Sequence, residues 1–92
     1  MRPEDERGAR LSMEDGAYAA AAWASGEDQW SIAQSFGFTT PTPVRNAIRR
    51  FEQQWCDLTY DPMLARMSVR KAYAVRVRRG LRLFRGFRDP PG

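Results

Sequence analysis

Five apolar residues, Val44, Ala47, Ile48, Phe51 and Trp55, recur at i, i+3, i+4, i+7 and i+11. Proline-marked breaks stand on either side of them, Thr40-Pro41-Thr42-Pro43 and Asp61-Pro62. That spacing is one stripe of an α-helix, and a stripe of this size has to be covered by other segments. The start is marked by Thr42, a capping residue type, with Pro43 at the first helical position; Thr40-Pro41 is an alternative start half a turn earlier. The helix is expected over 43–56, with Arg45, Asn46, Arg49, Arg50 and Gln53 on its polar face.

The preceding segments punctuate clearly. Ser12 reads as an N-cap and Asp15, three residues on, completes a capping box for a helix over 13–25. Its apolar face uses Met13, Ala17, Ala20 and Ala21 with Trp23 or Ala24, and its alanines admit a close neighbour. Gly26 stops it. Asp28 caps a short helix over 29–35 whose apolar residues are Trp30, Ile32, Ala33 and Phe36, and Gly37 ends it by taking a left-handed conformation. Residues 1–11 lack periodicity and read as a flexible arm; residues 89–92 read as a tail.

After Asp61-Pro62 a fourth helix is expected over 62–73, with Met63, Leu64 and Met67 facing the core. The continuation to residue 88 admits two readings. Val69, Tyr73, Val77, Leu81 and Phe84 fit a continued helix in which Gly80 costs about 1 kcal/mol. The run "VRVRRGLRL" also alternates with period two, and an Arg78-Arg79-Gly80 loop would pair Val77 with Leu81 and Val75 with Leu83 as a wing-like β-hairpin. The fold class is therefore mainly α: a three-helix core over 12–60, then a basic helix, or helix plus hairpin, over 61–88.

Charge is distributed unevenly. Residues 1–42 hold three arginines against seven acids, and residues 43–92 hold twelve Lys/Arg against four acids, net −4 against +8. Fourteen of the fifteen cations are arginine, and arginine forks onto phosphate and guanine as lysine cannot. A basic half of this kind is a footprint for a polyanion. The segment from Arg70 to Arg88 alone holds seven arginines, Lys71 and the aromatics Tyr73, Phe84 and Phe87.

Other chemistry finds little support. There is no histidine and one cysteine, so a disulfide within the chain and a Cys/His zinc site are excluded, as is histidine-based acid–base catalysis. Cys56 reads as a small half-buried hydrophobe. No phosphate-cradling glycine loop is present, so no cofactor is expected, and the chain is not expected to be an enzyme. No apolar run approaches the roughly 20 residues of a membrane span, and the expected location is cytoplasmic, nucleoid-associated.

The segment "IAQSFGF" resembles the helix-turn-helix transcription regulators. Ile32 and Ala33 match the packing pair, Phe36 stands in the usual leucine place, Gly37 in the turn, Phe38 after it, and Val44 inside the second helix. Arg45 to Ile48, "RNAI", is also similar to the recognition helix of GcrA-like regulators. The resemblance covers about 28–52, and the span from Gly37 to Val44 is one residue longer than the family's usual spacing.

The resemblance implies that helix 43–56 lies in the DNA major groove. There arginine can fork onto guanine and asparagine onto adenine. Thr40, Thr42, Arg45, Asn46, Arg49, Arg50 and Gln53 are the expected contacts. Arg76, Arg78, Arg79 and Arg82 would reach the backbone or minor groove from the wing or helix. The expected function is sequence-specific binding of double-stranded DNA in transcription regulation of phage or bacterial type. A homodimer is expected, through Trp23, Trp55 or the region after residue 61. The alternative is a binder of RNA through the arginine-rich end, or an adaptor on RNA polymerase or another protein.

Overall fold

A computed structural model describes residues 11–88. The expected tail and all but Leu11 of the expected arm lie outside the described residues. Leu11 itself packs against the core. The described residues form five helices and no strand: α1 (Met13–Ala24), α2 (Gln29–Ser35), α3 (Thr42–Trp55), α4 (Pro62–Ala65) and α5 (Val69–Arg88).

The caps are local and behave as their chemistry dictates. Ser12 Oγ accepts from the Asp15 N–H at 3.1 Å, and Asp28 Oδ1 from the Ser31 N–H at 2.9 Å. Two glycines close α1 and α2 in the same way. Gly26 (φ 111°) and Gly37 (φ 83°) take the left-handed conformation. The following residues, Glu27 and Phe38, donate back to the carbonyls of Ala22 at 3.1 Å and Ala33 at 2.9 Å. Carbonyls that the helix would leave unpaired are thereby satisfied.

α3 begins one residue earlier than expected. Thr42 is its first helical residue and Pro41 occupies the cap position, with no side-chain capping bond. Pro41 already has αR backbone angles (φ −80°, ψ −3°), and its carbonyl accepts from the Arg45 N–H at 2.8 Å, which closes the first turn from the proline. Proline can sit there because a helix start needs no N–H from its first residues.

α3 is the packing centre. It contacts α1, α2 and α5, and Val44, Ala47, Ile48 and Phe51 are all buried. Truncating Phe51, the largest fully buried side chain, to alanine would cost about 3–5 kcal/mol. α1 contributes Ala17, Ala19, Ala20 and Ala22, α2 contributes Ile32 and Ala33, and α5 contributes Val77 and Phe84. Phe84 packs edge-on to Phe51 (6.1 Å) and Trp55 (5.3 Å).

The C-terminal region takes the helical reading and not the wing, but as two helices where one was expected to run on from residue 62. α4 ends at Ala65, and α5 starts afresh at Val69 with Ser68 Oγ accepting from the Lys71 N–H at 3.2 Å. The segment that could have formed a hairpin is one helix of 20 residues, about 30 Å long. Helical spacing sets Tyr73, Val77, Gly80, Leu81 and Phe84 on one face toward the core, which a hairpin would divide between two faces. Gly80 serves the packing here rather than a turn. A β-carbon on it would lie 2.9 Å from Cys56 Sγ and 3.0 Å from the Trp55 carbonyl oxygen. Of the three residues expected to face inward from α4 and its continuation, only Leu64 is buried; Met63 and Met67 are exposed.

Candidate nucleic-acid interface

α3 presents one continuous polar face. Thr42, Arg45, Asn46, Arg49 and Gln53 fall within about 100° of one another around the helix, opposite the buried stripe, and all five are exposed. Because the stripe is held from behind by three helices, the outer face is rigidly displayed. Thr40 is exposed in the 36–41 connection, just ahead of the same helix start. That connection is itself packed: Phe38 and Pro41 are buried, and Phe36 meets Tyr18 edge-on at 5.9 Å.

Arg50 does not belong to this set. It lies on the flank of α3 that faces α1, is half-buried, and its Nη2 donates to the Leu11 carbonyl at 2.9 Å. The polar pattern of α3 hid this, because the partner is 39 positions away. Conversely, Gln29 was not singled out by the sequence. Its Oε1 accepts from Arg45 Nε at 3.3 Å, so the first turn of α2 helps orient the first arginine of α3. Trp30, expected inside, is exposed beside it.

The four arginines expected to act together near residue 80 divide into two pairs. Arg76 Nη1 donates to the carbonyls of Asp57 and, at 3.0 Å, Thr59, and so fastens the 56–61 connection to α5. Arg79 stands 3.7 Å from the Asp61 carboxylate. Arg78 and Arg82 lie on the other flank. With Lys71 and Arg85 they form a stripe within about 60° of arc along α5, all exposed. That flank borders α1, where Arg78 lines a cleft with Ala21 and Ser25, and Arg85 one with Glu14 and Tyr18. α3 meets α5 from the opposite side, at Trp55 and Cys56. The α5 stripe is therefore a second basic surface, distinct from the face of α3.

Between these surfaces the titratable groups are structural. Burial first, and the Glu52 carboxylate second, push the Cys56 thiol up to about 11, against the pull of Arg76. Burial, aided by Glu52, likewise raises the Tyr73 phenol. Both shifts favour the neutral forms, which lowers the thiolate fraction of Cys56. Among the described residues no cluster of three or more Cys, Asp or Glu side chains is placed to hold a metal, and no helix is long and apolar enough to cross a membrane.

Comparison with protein-family models, curated proteins and solved structures returns no match for this chain.

Proposed function

We propose that the protein binds double-stranded DNA sequence-specifically, as a small transcriptional regulator, with the outer face of α3 in the major groove. The observation that carries this reading is the exposed row Thr42, Arg45, Asn46, Arg49 and Gln53 on a helix buttressed by three others. The major groove, about 12 Å wide, admits one helix, and the side chains of the row are the types that read guanine and adenine edges. Two copies on adjacent half-sites would multiply affinity, since one such helix reads only a few base pairs.

The test is selection of bound duplexes from random DNA at two salt concentrations. A recovered motif that loses preference at individual bases in Arg45→Ala and Arg49→Ala is the expected result, at about 1–3 kcal/mol per lost base contact. Recovery of no motif, with binding that only collapses as salt rises, would overturn it.

The α5 stripe supports a second reading, RNA binding through Lys71, Arg78, Arg82 and Arg85. Deleting α5 cannot separate the two, because Val77 and Phe84 belong to the core. Charge-neutralising substitutions on the stripe can. If they abolish binding to a structured RNA while Arg45→Ala and Arg49→Ala leave it intact, the second reading prevails.

A further inference from the structure

The 20 residues of α5 include seven arginines and Lys71, and no acid. Packing sorts these cations. Arg76 and Arg79 are tied to the 56–61 connection. Lys71, Arg78, Arg82 and Arg85 are all exposed and fall within about 60° of arc. No hydrogen bond or ion pair engages these four side chains among the described residues. The acid placed against the stripe is Glu14 of α1, which shares a cleft with Arg85. From Lys71 to Arg85 the stripe runs about 21 Å, the axial rise of about six base pairs. Like charges held this close repel one another, and a polyanion relieves that repulsion.

The side chains around the stripe select the ligand. α5 has no Asn, Gln, Ser or Thr, the amides and hydroxyls that take part in base readout. Its aromatics turn elsewhere: Tyr73 is half-buried, Phe84 is buried, and Phe87 packs against Trp55 at 5.5 Å. Unpaired bases therefore find no stacking platform along the stripe. What remains is a row of cations on a rigid helix, suited to the phosphate backbone of a duplex. The stripe and the α3 row also face apart. Around α5 the four cations stand about 140–180° from Gly80, where the helix abuts Trp55 and Cys56 of α3. Around α3 the row from Thr42 to Gln53 stands about 80–180° from Trp55, which meets Phe84 of α5. A straight duplex lying along one surface leaves the other open.

We infer that Lys71, Arg78, Arg82 and Arg85 form a sequence-independent site for the phosphate backbone of a second DNA duplex, so that one protein holds two duplex segments at once. The first duplex rests on the α3 reading; the stripe as a phosphate site does not. With one duplex bound, the other is presented at a high local concentration, which favours joining segments that are already near each other.

The experiment has two parts. In the first, a labelled duplex of random sequence is titrated with the full chain over a salt series. Neutralising the stripe with Lys71→Gln/Arg78→Gln/Arg82→Gln/Arg85→Gln should make the slope of log Kobs against log salt shallower by about 3–4, at about 0.9 per phosphate contact. Arg66→Gln/Arg70→Gln, exposed cations off the stripe, should leave the slope unchanged. All six side chains are exposed, so unchanged thermal melting is expected. In the second part, a bead-tethered duplex carrying the motif selected by the wild type captures a labelled duplex of unrelated sequence. The wild type should capture it; the stripe variant should still bind the tethered duplex and lose the capture. An unchanged slope in the stripe variant overturns the inference, as does an equal loss per charge in Arg66→Gln/Arg70→Gln. With a motif recovered, a changed slope without capture overturns it too, since α3 and the stripe then share one bent duplex. Capture that survives neutralisation assigns bridging to the α3 faces of a dimer, and stripe-dependent binding of RNA in preference to duplex DNA gives the site to RNA; either overturns it. If no motif is recovered and Arg45→Ala/Arg49→Ala changes nothing, while the stripe variant still loses its slope, the α3 reading fails and the phosphate site stands.

Discussion

A β-carbon on Gly16 would stand 3.0 Å from the carbonyl oxygen of Ala47, so α1 and α3 touch backbone to backbone at that point. Gly80 makes the corresponding approach from α5 to the end of α3, whereas Gly86 has nothing within 4 Å. Alanine at any of the three raises helix propensity by up to about 1 kcal/mol. At Gly16 and Gly80 that gain is outweighed, because the obstructing atoms are backbone, or Cys56 Sγ, and cannot swing aside. Gly16→Ala and Gly80→Ala should each lose about 1–3 kcal/mol in urea unfolding. Gly86→Ala should be neutral or up to about 1 kcal/mol more stable. Equal effects at Gly80 and Gly86 would contradict the close approach.

Arg50 and Arg49 are adjacent in sequence and differ in environment, the first half-buried and the second exposed. Arg50 binds the Leu11 carbonyl, and its buried Nε has no hydrogen-bond partner among the described residues. Arg50→Ala should destabilise the fold by about 1–3 kcal/mol through the lost charged hydrogen bond and packing of the side-chain stem. The DNA motif recovered with it should be that of the wild type. Arg49→Ala should do the reverse, leaving the urea midpoint within about 0.5 kcal/mol and altering base preference.

The two arginine pairs of α5 separate by the same logic. Arg76→Ala frees the carbonyls of Asp57 and Thr59 and should cost about 1–3 kcal/mol. Arg78→Ala and Arg82→Ala should stay within about 0.5 kcal/mol of wild type. If the stripe meets phosphates, each of these two lowers the salt slope of nucleic-acid binding by about 1. Thermal melts and a salt series on the same three variants decide it.

Cys56 should react slowly. Its thiol, ordinarily near 9.0, is raised to about 11 by burial and by Glu52. At pH 8 the thiolate fraction is therefore ~100-fold below that of the unfolded chain. Because the fold favours the neutral thiol, this contribution to stability is complete below pH 9.0 and is lost as pH climbs through about 11. Modification by an aromatic disulfide reagent, followed against pH in native and urea-unfolded protein, measures it. Glu52→Gln should move the native profile to lower pH.

The helix starts and stops were legible in the sequence where a few neighbouring residues decide them. Ser12, Asp28 and Asp61 cap as side chains of their type do, and Gly26 and Gly37 take the left-handed turn that other residues resist. The stripe Val44–Phe51 is buried because its spacing allows one face and no other. The start of α3 was misplaced by a residue, since Pro41 carries helical angles of its own.

Tertiary structure decided what depends on distant partners. Residues 75–83 satisfy a period of two and of 3.6 equally well; only the shared core with α1 and α3 selects the helix, and only the closeness of Trp55 and Cys56 gives Gly80 its purpose. Composition marked the arginines as one basic population. Packing sorted them: Arg50 to a carbonyl 39 residues away, Arg76 to carbonyls 17 and 19 away, and Arg45, Arg49, Arg78 and Arg82 to exposed faces. Met63, Met67 and Val69 stayed outside for the same reason, since an apolar side chain is buried only where another element arrives to cover it.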